Sequence, residues 1–520
     1  MAMCFRCGLA GSVFVCSRCH QVYFCSPQCQ KGGWRQHRPD CLQARKPHPR
    51  VRVYANLGAL HGEVDVEVPS SSSLRDIRQK LATVFGSGSC RLFACGEEVL
   101  SLEHFWEVRQ RDIIVSAGVP LRGPSSPERM DHPSTRYPAS LVGSTVARIA
   151  ADDPEVEHLL RAPVPIVVTG SKLADKAVGR WSFDYLERTL ADVDNFFVLC
   201  APEESQGRFA YYDFSDGKNP CAYNVVPGNR RVEMRFSEFR QKVESTKGTK
   251  GAMYYLQNTL LHREETAPGP PRFAGGFGST CGREVAKDIE GFRWGWLKQV
   301  TGQEVQMCQL FCGSEGFSPC HYDPQDNIFA QVSGYKRVLL FHPRHFCCLY
   351  PWPVHHPQDR QSRVDFEKPD PRFPRFRELT GKGLEAVVGP GDVLHIPSGW
   401  WHHVEMLPSP AGEVVSINFW YPPPTWFHGD LAKGNITWDR PLFGVRRMLF
   451  QRCVEELIAQ SAGPAKVFET LKLAGKGQST EPGIREALQQ LETFLSPVLT
   501  PAECVELLGE MVQGRFVGLS

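Results

Sequence analysis

The triplet His321-Tyr322-Asp323, answered far along the chain by Trp400-Trp401-His402, constrains the fold more than any other feature. On a β-strand, residues i and i+2 point to the same side. His321 and Asp323 can therefore aim an imidazole and a carboxylate at one point while Tyr322 faces away. His402, carried by a second strand, completes two nitrogens and one oxygen on one face of a metal ion. That facial ligand set is the one used by non-heme Fe(II) oxygenases, and it leaves positions open for a cosubstrate and O₂. The pattern demands that two strands distant in sequence lie together.

The surroundings of the triplet are equally informative. Between Ser318 and Tyr421 stand the blocks SPCHYDPQDNIFAQVSGYKRVLLFHP, LYPWPVHHPQDRQSRVDF, VVGPGDVLHIPSGWWHHVE and SINFWY. Upstream lie RFAYYD (208–213), YYLQNTL (254–260) and GFRWGWL (291–297), and ELLGEMVQGRF closes the chain. With these blocks the sequence resembles the JmjC-type asparaginyl hydroxylases, the family of factor-inhibiting HIF, over roughly residues 145–460. The resemblance implies a double-stranded β-helix (the JmjC/cupin jelly roll) with C-terminal helices. It also implies Fe(II) and 2-oxoglutarate as cofactors, with decarboxylation of 2-oxoglutarate to succinate coupled to hydroxylation of a protein, an asparagine of an ankyrin-repeat or HIF-like substrate.

Residue by residue, the resemblance puts iron on His321, Asp323 and His402. It puts Lys336, Tyr255 and Ser318 on the far carboxylate of 2-oxoglutarate, and Asn327 and Asn418 beside the carboxylate that chelates iron. Lys336 suits its role chemically, since a dianion needs a cation at its far end. Tyr211, Gln257, Arg360 and Gln361 align with contacts to the target asparagine and its peptide. Ser318 stands where the family has threonine; the hydroxyl is kept and a methyl is lost. His403 is expected to orient or pack beside the ligand rather than bind metal. His355 and His356, in a Pro-rich loop, are expected to shape the groove. Gly389-Pro390-Gly391-Asp392 reads as hairpin-turn chemistry entering a strand, and the aromatics of 291–296 as core.

The N-terminus follows another logic. Cys4, Cys7, Cys16, Cys19, Cys25, Cys29, His37 and Cys41 read C-x2-C-x8-C-x2-C-x5-C-x3-C-x7-H-x3-C. Eight soft ligands in so short a segment fit two tetrahedral zinc sites. The segment cannot bury an adequate core, so metal binding supplies its folding energy. With YFCSPQCQKGGWRQHRPDC it resembles a MYND finger, which implies interleaved sites: Cys4, Cys7, Cys25 and Cys29 on one ion, Cys16, Cys19, His37 and Cys41 on the other. It implies a grip on proline-containing peptides.

Five regions follow: the finger (1–45), a ubiquitin-like or doublecortin-like α+β β-grasp (51–118), a linker (119–140), the hydroxylase domain (141–428) and a C-terminal helical region (429–520). In the second, VRVYANL and EVDVEV alternate as strands, and Leu74, Ile77, Leu81 and Phe85 share one helical face. RGPSSPERMDHPSTRYP is rich in Pro, Ser and charge and reads as linker. In FGVRRMLFQRCVEELIAQ, Val445, Met448, Leu449, Leu457 and Ile458 form an apolar stripe, and the resemblance implies a homodimer through these helices.

The chain carries 59 basic and 57 acidic residues, a net charge of +2. That balance gives no broad nucleic-acid signature, and the basic run Arg45–Arg52 reads as solvated linker. No apolar run reaches the length of a membrane helix and no signal peptide is evident, so an intracellular protein of nucleus and cytoplasm is expected. Alternatives are an adaptor with a MYND finger on an inactive JmjC scaffold, a JmjC histone demethylase, and a tRNA hydroxylase. The complete set His321, Asp323, His402 and Lys336 argues against the inactive scaffold.

Overall fold

The structure is a computed structural model. It describes residues 4, 6–7, 14–15, 23–43, 50–57, 60–69, 71–84, 90–94, 97–99, 101–108, 113–117, 136–162, 164–215, 219–247, 251–262, 272–273, 283–407, 412–422, 443–474, 480–496, 499 and 501–519. Eight strands form its centre: β1 (Met307–Gly313), β2 (Gly316–Tyr322), β3 (Asn327–Ser333), β4 (Tyr335–Phe341), β5 (Gly383–Val388), β6 (Val393–Ile396), β7 (Trp401–Leu407) and β8 (Val414–Trp420). One sheet runs β1-β8-β3-β6 and the other β2-β7-β4-β5, every pair antiparallel. Apart from β4 and β5, successive strands alternate between the sheets, as in a jelly roll. The first sheet grows to ten strands by Met253–His262, Phe196–Ala201 and Arg230–Met234 on one side, and Ile166–Thr169 and Arg148–Ala150 on the other, with Arg272–Phe273 appended. Val142–Thr145 adds a fifth strand to the second.

Alternation along each strand divides core from cavity. On β1, Cys308, Leu310 and Cys312 enter a large apolar core, while Met307, Gln309 and Phe311 face a cavity between the sheets. On β8, Val415, Ile417 and Phe419 enter that core, and Asn418 and Trp420 turn to the cavity. On β3 the same rule sends Ile328, Ala330 and Val332 one way and Asn327 and Phe329 the other. A one-residue slip of any of these strands would exchange its polar and apolar sets. The turn at 389–392 differs from the expected hairpin. It carries the chain from β5 in one sheet to β6 in the other, with Gly391 at φ +89° and the Asp392 carboxylate accepting from the Gly389 N–H.

The outer face of the smaller sheet is covered in turn. Tyr322, Leu339, Phe341 and Trp401 pack there with Leu349, Phe366, Phe376 and Met448, from the segment after β4 and from a C-terminal helix. The C-terminal region forms α1 (Phe443–Ala462), α2 (Val467–Leu473), α3 (Pro482–Leu495) and α4 (Pro501–Gln513). Its expected stripe is spent inside the molecule. Met448 and Leu449 join the two jelly-roll clusters, Ile458 and Leu457 join the helical cluster, and the Val445 side chain lies outside the described residues. Arg136 to Ser140, at the end of the expected linker, is packed instead: Tyr137 is buried and its hydroxyl donates to Glu385.

Residues 50–117 form a separate five-stranded mixed sheet with strand order Leu60–Glu67, Arg50–Leu57, Ile113–Ala117, Cys90–Ala94, Glu97–Glu98. Its first and last strands pair in parallel at the centre. The helix Leu74–Val84 buries Leu74, Ile77 and Leu81, and Phe85 lies outside the described residues. Ser73 and Asp76 cap the helix reciprocally, each side chain accepting from the other's backbone N–H, a capping box. A short helix, Leu102–Val108, has too few turns to show periodicity in sequence.

Candidate metal centre and cosubstrate pocket

β2 and β7 run antiparallel with His321 opposite His402, across a register shift between Ser318 and His321. That irregularity and the i, i+2 rule bring both imidazoles and the Asp323 carboxylate to one point. One ligand atom from each of His321, Asp323 and His402 lies within 4.8 Å of the others. The rings are 4.2 Å apart between centroids. His321 Nδ1–H donates to the Pro319 carbonyl at 2.7 Å and His402 Nδ1–H to the Trp400 carbonyl at 3.0 Å. These bonds fix the tautomers and leave both Nε2 lone pairs free.

Burial, and then the charge of His402, push the His321 pKa down to about 4, so this ring is neutral and a competent ligand. Burial works to raise the Asp323 carboxyl, but His402, His321 and Arg360 outweigh it and hold the group ionised. Asp323 Oδ2 is buried without a hydrogen-bond donor, 3.4 Å from His402 Nε2. Two lone pairs and an orphaned anionic oxygen converging on one space fit a divalent cation.

The other end of the site is cationic. Lys336, only 1% exposed, lies between Tyr255 OH at 3.1 Å and Ser416 Oγ at 2.9 Å. Burial pushes its pKa down to about 7, and among the described residues no carboxylate pairs with it. A buried amine held by two hydroxyls and no acid fits an anionic ligand. Asn327 and Asn418, buried on neighbouring strands, each keep a carbonyl oxygen without a partner. One cavity of about 1070 Å³ is lined by His321, Asp323, His402, Lys336, Tyr255, Ser318, Asn327 and Asn418, and also by Tyr211, Gln257, Arg360 and Gln361.

Every residue singled out for this site thus borders one space, with two refinements. Arg360, expected on substrate, lies with Nη1 3.8 Å from Asp323 in left-handed backbone at φ +69°. Gln361 donates to the Tyr211 carbonyl and bridges to His321. Ser416 was not singled out; its signal is the i, i+2 relation to Asn418 on β8. His403 faces away from the cavity, stacked against Phe317 and Phe366, as expected of a packing residue. His356 stacks on Trp352 at 3.8 Å, and His355 approaches Glu456; neither joins the ligand cluster.

In the N-terminal segment, Cys4, Cys7, Cys25 and Cys29 form a second cluster with sulfurs mutually within 4.8 Å, Cys7 and Cys25 being 3.5 Å apart. Four thiols so placed fit a tetrahedral zinc site. Of the other expected set, Cys16 and Cys19 lie outside the described residues. His37 and Cys41 fall on the helix Pro27–Gln43, and their side chains lie outside the described set. Among the described residues no helix is long and apolar enough to cross a membrane.

Comparison with known proteins agrees with the fold. The MYND finger family matches residues 4–41. Lysine-specific demethylase JMJ31 of Arabidopsis thaliana is 34% identical over 110 residues, 21% of this chain and 19% of that protein. Lysine-specific demethylase 8 of Xenopus tropicalis is 33% identical over 129 residues, 24% of this chain and 27% of that protein. HSPB1-associated protein 1 of Homo sapiens is 37% identical over 123 residues, 23% and 24% respectively. The matches thus span about a quarter or less of these relatives. None of the three is named as an asparaginyl hydroxylase, so that narrower resemblance rests on the motifs quoted above. The cupin-like domain family matches residues 153–426, more than half of the chain, and the chain belongs to that family.

Proposed function

We propose that this chain is an Fe(II)- and 2-oxoglutarate-dependent oxygenase that hydroxylates an asparagine of an ankyrin-repeat or HIF-like protein. One observation carries the reading: two free imidazole lone pairs and an unpaired carboxylate oxygen meet in the same cavity as a buried lysine with which, among the described residues, no carboxylate pairs. His321, Asp323 and His402 would hold iron. Lys336, Tyr255 and Ser318 would take the far carboxylate of 2-oxoglutarate, and Asn327 and Asn418 the near one. When bound, iron and 2-oxoglutarate supply the oxidising power that converts a C–H bond and O₂ into C–OH, succinate and CO₂.

The chain's own residues do the rest. The carbonyls of Pro319 and Trp400 hold the two rings in their ligating tautomers. Phe311, Phe329 and Ile396 line the cavity and keep water from the reacting centre. Gln257 and Gln361 offer amides to a substrate amide, and Tyr211, 56% exposed, offers a ring at the mouth. Cys4, Cys7, Cys25 and Cys29 would hold one zinc, and Cys16, Cys19, His37 and Cys41 a second, in a finger that recruits proline-containing partners. Residues 51–118 would serve as a β-grasp scaffold, and the C-terminal helices as a homodimer contact, in nucleus and cytoplasm.

A second reading has its own support, since two of the named relatives are lysine-specific demethylases. Hydroxylation of an N-methyl group leads to loss of formaldehyde, so the same site could serve both reactions. Mass spectrometry of ankyrin-repeat peptides and methyl-lysine peptides incubated with enzyme, Fe(II) and 2-oxoglutarate separates them. An asparagine carrying one added oxygen supports the first reading. Loss of a methyl group with release of formaldehyde, and no oxygenated asparagine, replaces it with the second.

A further inference from the structure

The strand that carries His321 is braced from behind by the C-terminal helix α1, and we propose that Arg452 is a positioning residue for the metal centre, acting through Tyr322 and Asp359. The inference rests on reading His321, Asp323 and His402 as metal ligands. Tyr322 lies between two of those ligands and faces the opposite way, fully buried and edge-on to Trp401 at 4.7 Å. Trp401 precedes the third ligand. The Tyr322 hydroxyl accepts from Arg452 Nη1 at 3.0 Å. The same guanidinium grips Asp359 with two bonds, of 2.6 and 2.9 Å.

Asp359 opens a short segment laid along β2. The Arg360 carbonyl accepts the Tyr322 N–H at 3.1 Å, and Ser362 N–H donates to the Cys320 carbonyl at 2.8 Å. Gln361 bridges to His321. Within this segment Arg360 keeps the left-handed backbone that places its guanidinium beside Asp323. A non-glycine residue holds such a conformation only when its surroundings over-determine it. Here the Arg452 clamp fixes one flank and the Gln361 bridge the other.

The helix itself is anchored one turn further on. Glu455 accepts the Val354 N–H at 2.8 Å and a bond from Arg515, both acid and arginine being about 1% exposed. Arg515 also donates to the Trp352 carbonyl at 2.9 Å. Buried ion pairs contribute little net stability compared with well-packed apolar groups. What a planar fork does supply is direction, and that of Arg452 joins the ligand strand to the segment that carries Arg360.

The test is Mn(II) binding to the full-length protein with its zinc in place, followed by loss of the free-ion EPR signal. Manganese prefers the nitrogen and oxygen site over thiolates. We expect Arg452→Met to weaken Mn(II) binding about tenfold, the scale seen when outer support of ligands is removed. Tyr322→Phe should weaken it by less, and should add nothing in the Arg452→Met background. Arg447→Met, which cuts the ion pairs of α1 to Glu506 and Glu510, should lower stability and leave Mn(II) affinity unchanged. Wild-type affinity in Arg452→Met, or equal weakening by Arg447→Met, overturns the proposal. If Arg452→Met does not fold, Tyr322→Phe, which loses a single oxygen, decides it, and unchanged affinity there overturns it. A wild-type protein with no Mn(II) site removable by Asp323→Ala overturns the metal reading instead.

Discussion

Replacing Lys336 by methionine should make the ligand-free protein more stable while removing its affinity for 2-oxoglutarate. In an unfolded chain the amine titrates near 10.5, and burial brings it to about 7 in the folded protein. The sign follows from proton binding: between those values the unfolded state holds the extra proton, so this group costs stability increasingly as pH falls from 10.5 towards 7, and fully below. At about pH 7.5 the cost is about 4 kcal/mol, taking 1.36 kcal/mol per unit. Methionine removes it but also removes the bonds to Tyr255 and Ser416, about 1 kcal/mol each. A net gain of about 2 kcal/mol is expected in urea unfolding. Binding moves the other way, because a buried carboxylate without its cation loses about 3–5 kcal/mol, a weakening of at least about a hundredfold in calorimetry. A variant that is less stable yet binds 2-oxoglutarate within about threefold of wild type would refute the argument, and would make Lys336 a structural cation satisfied by its hydroxyls.

The same lysine predicts proton uptake. Because free Lys336 titrates at about 7 and a bound dianion favours the charged form, 2-oxoglutarate should bind with net proton uptake at pH 8 and more weakly as pH rises; calorimetry in buffers of different ionisation enthalpy measures it, and binding independent of buffer would contradict it. Cys25→Ser should cost the protein one zinc by elemental analysis while leaving 2-oxoglutarate binding intact, since the thiol cluster and the cavity share no residue; an undiminished zinc content would reject that site. Deleting residues 1–45 should preserve turnover of a good peptide and abolish capture of proline-containing peptides, and loss of all peptide turnover would show that the finger is more than a recruiting device.

The convergence of His321, Asp323 and His402 was legible in the sequence because strand alternation is local. His321 and Asp323 two apart, and His402 beside two tryptophans, suffice to put three donors on one face. The cavity's second end was legible through the family blocks, which carried Lys336, Tyr255 and the two asparagines. Contacts between segments remote in sequence were not. Arg360 against Asp323 depends on a left-handed residue in the loop 350–363, which no local pattern marks, and Arg452 behind Tyr322 depends on how α1 docks. The turn at 389–392 has hairpin composition, yet the chain changes sheets there, because glycine and proline specify a reversal and not its destination. In the apolar stripe of α1, Met448, Leu449 and Ile458 are buried against three different clusters; periodicity identifies such a face and leaves its partner open.

Binding of iron by His321, Asp323 and His402, as in a 2-oxoglutarate oxygenase, is the proposal on which the function rests. It is tested most directly by succinate release from 2-oxoglutarate with Fe(II) and O₂, wild type against Asp323→Ala. Turnover is expected in the wild type and none in the variant, with the thiol-bound zinc retained in both. Undiminished succinate production by Asp323→Ala would contradict it.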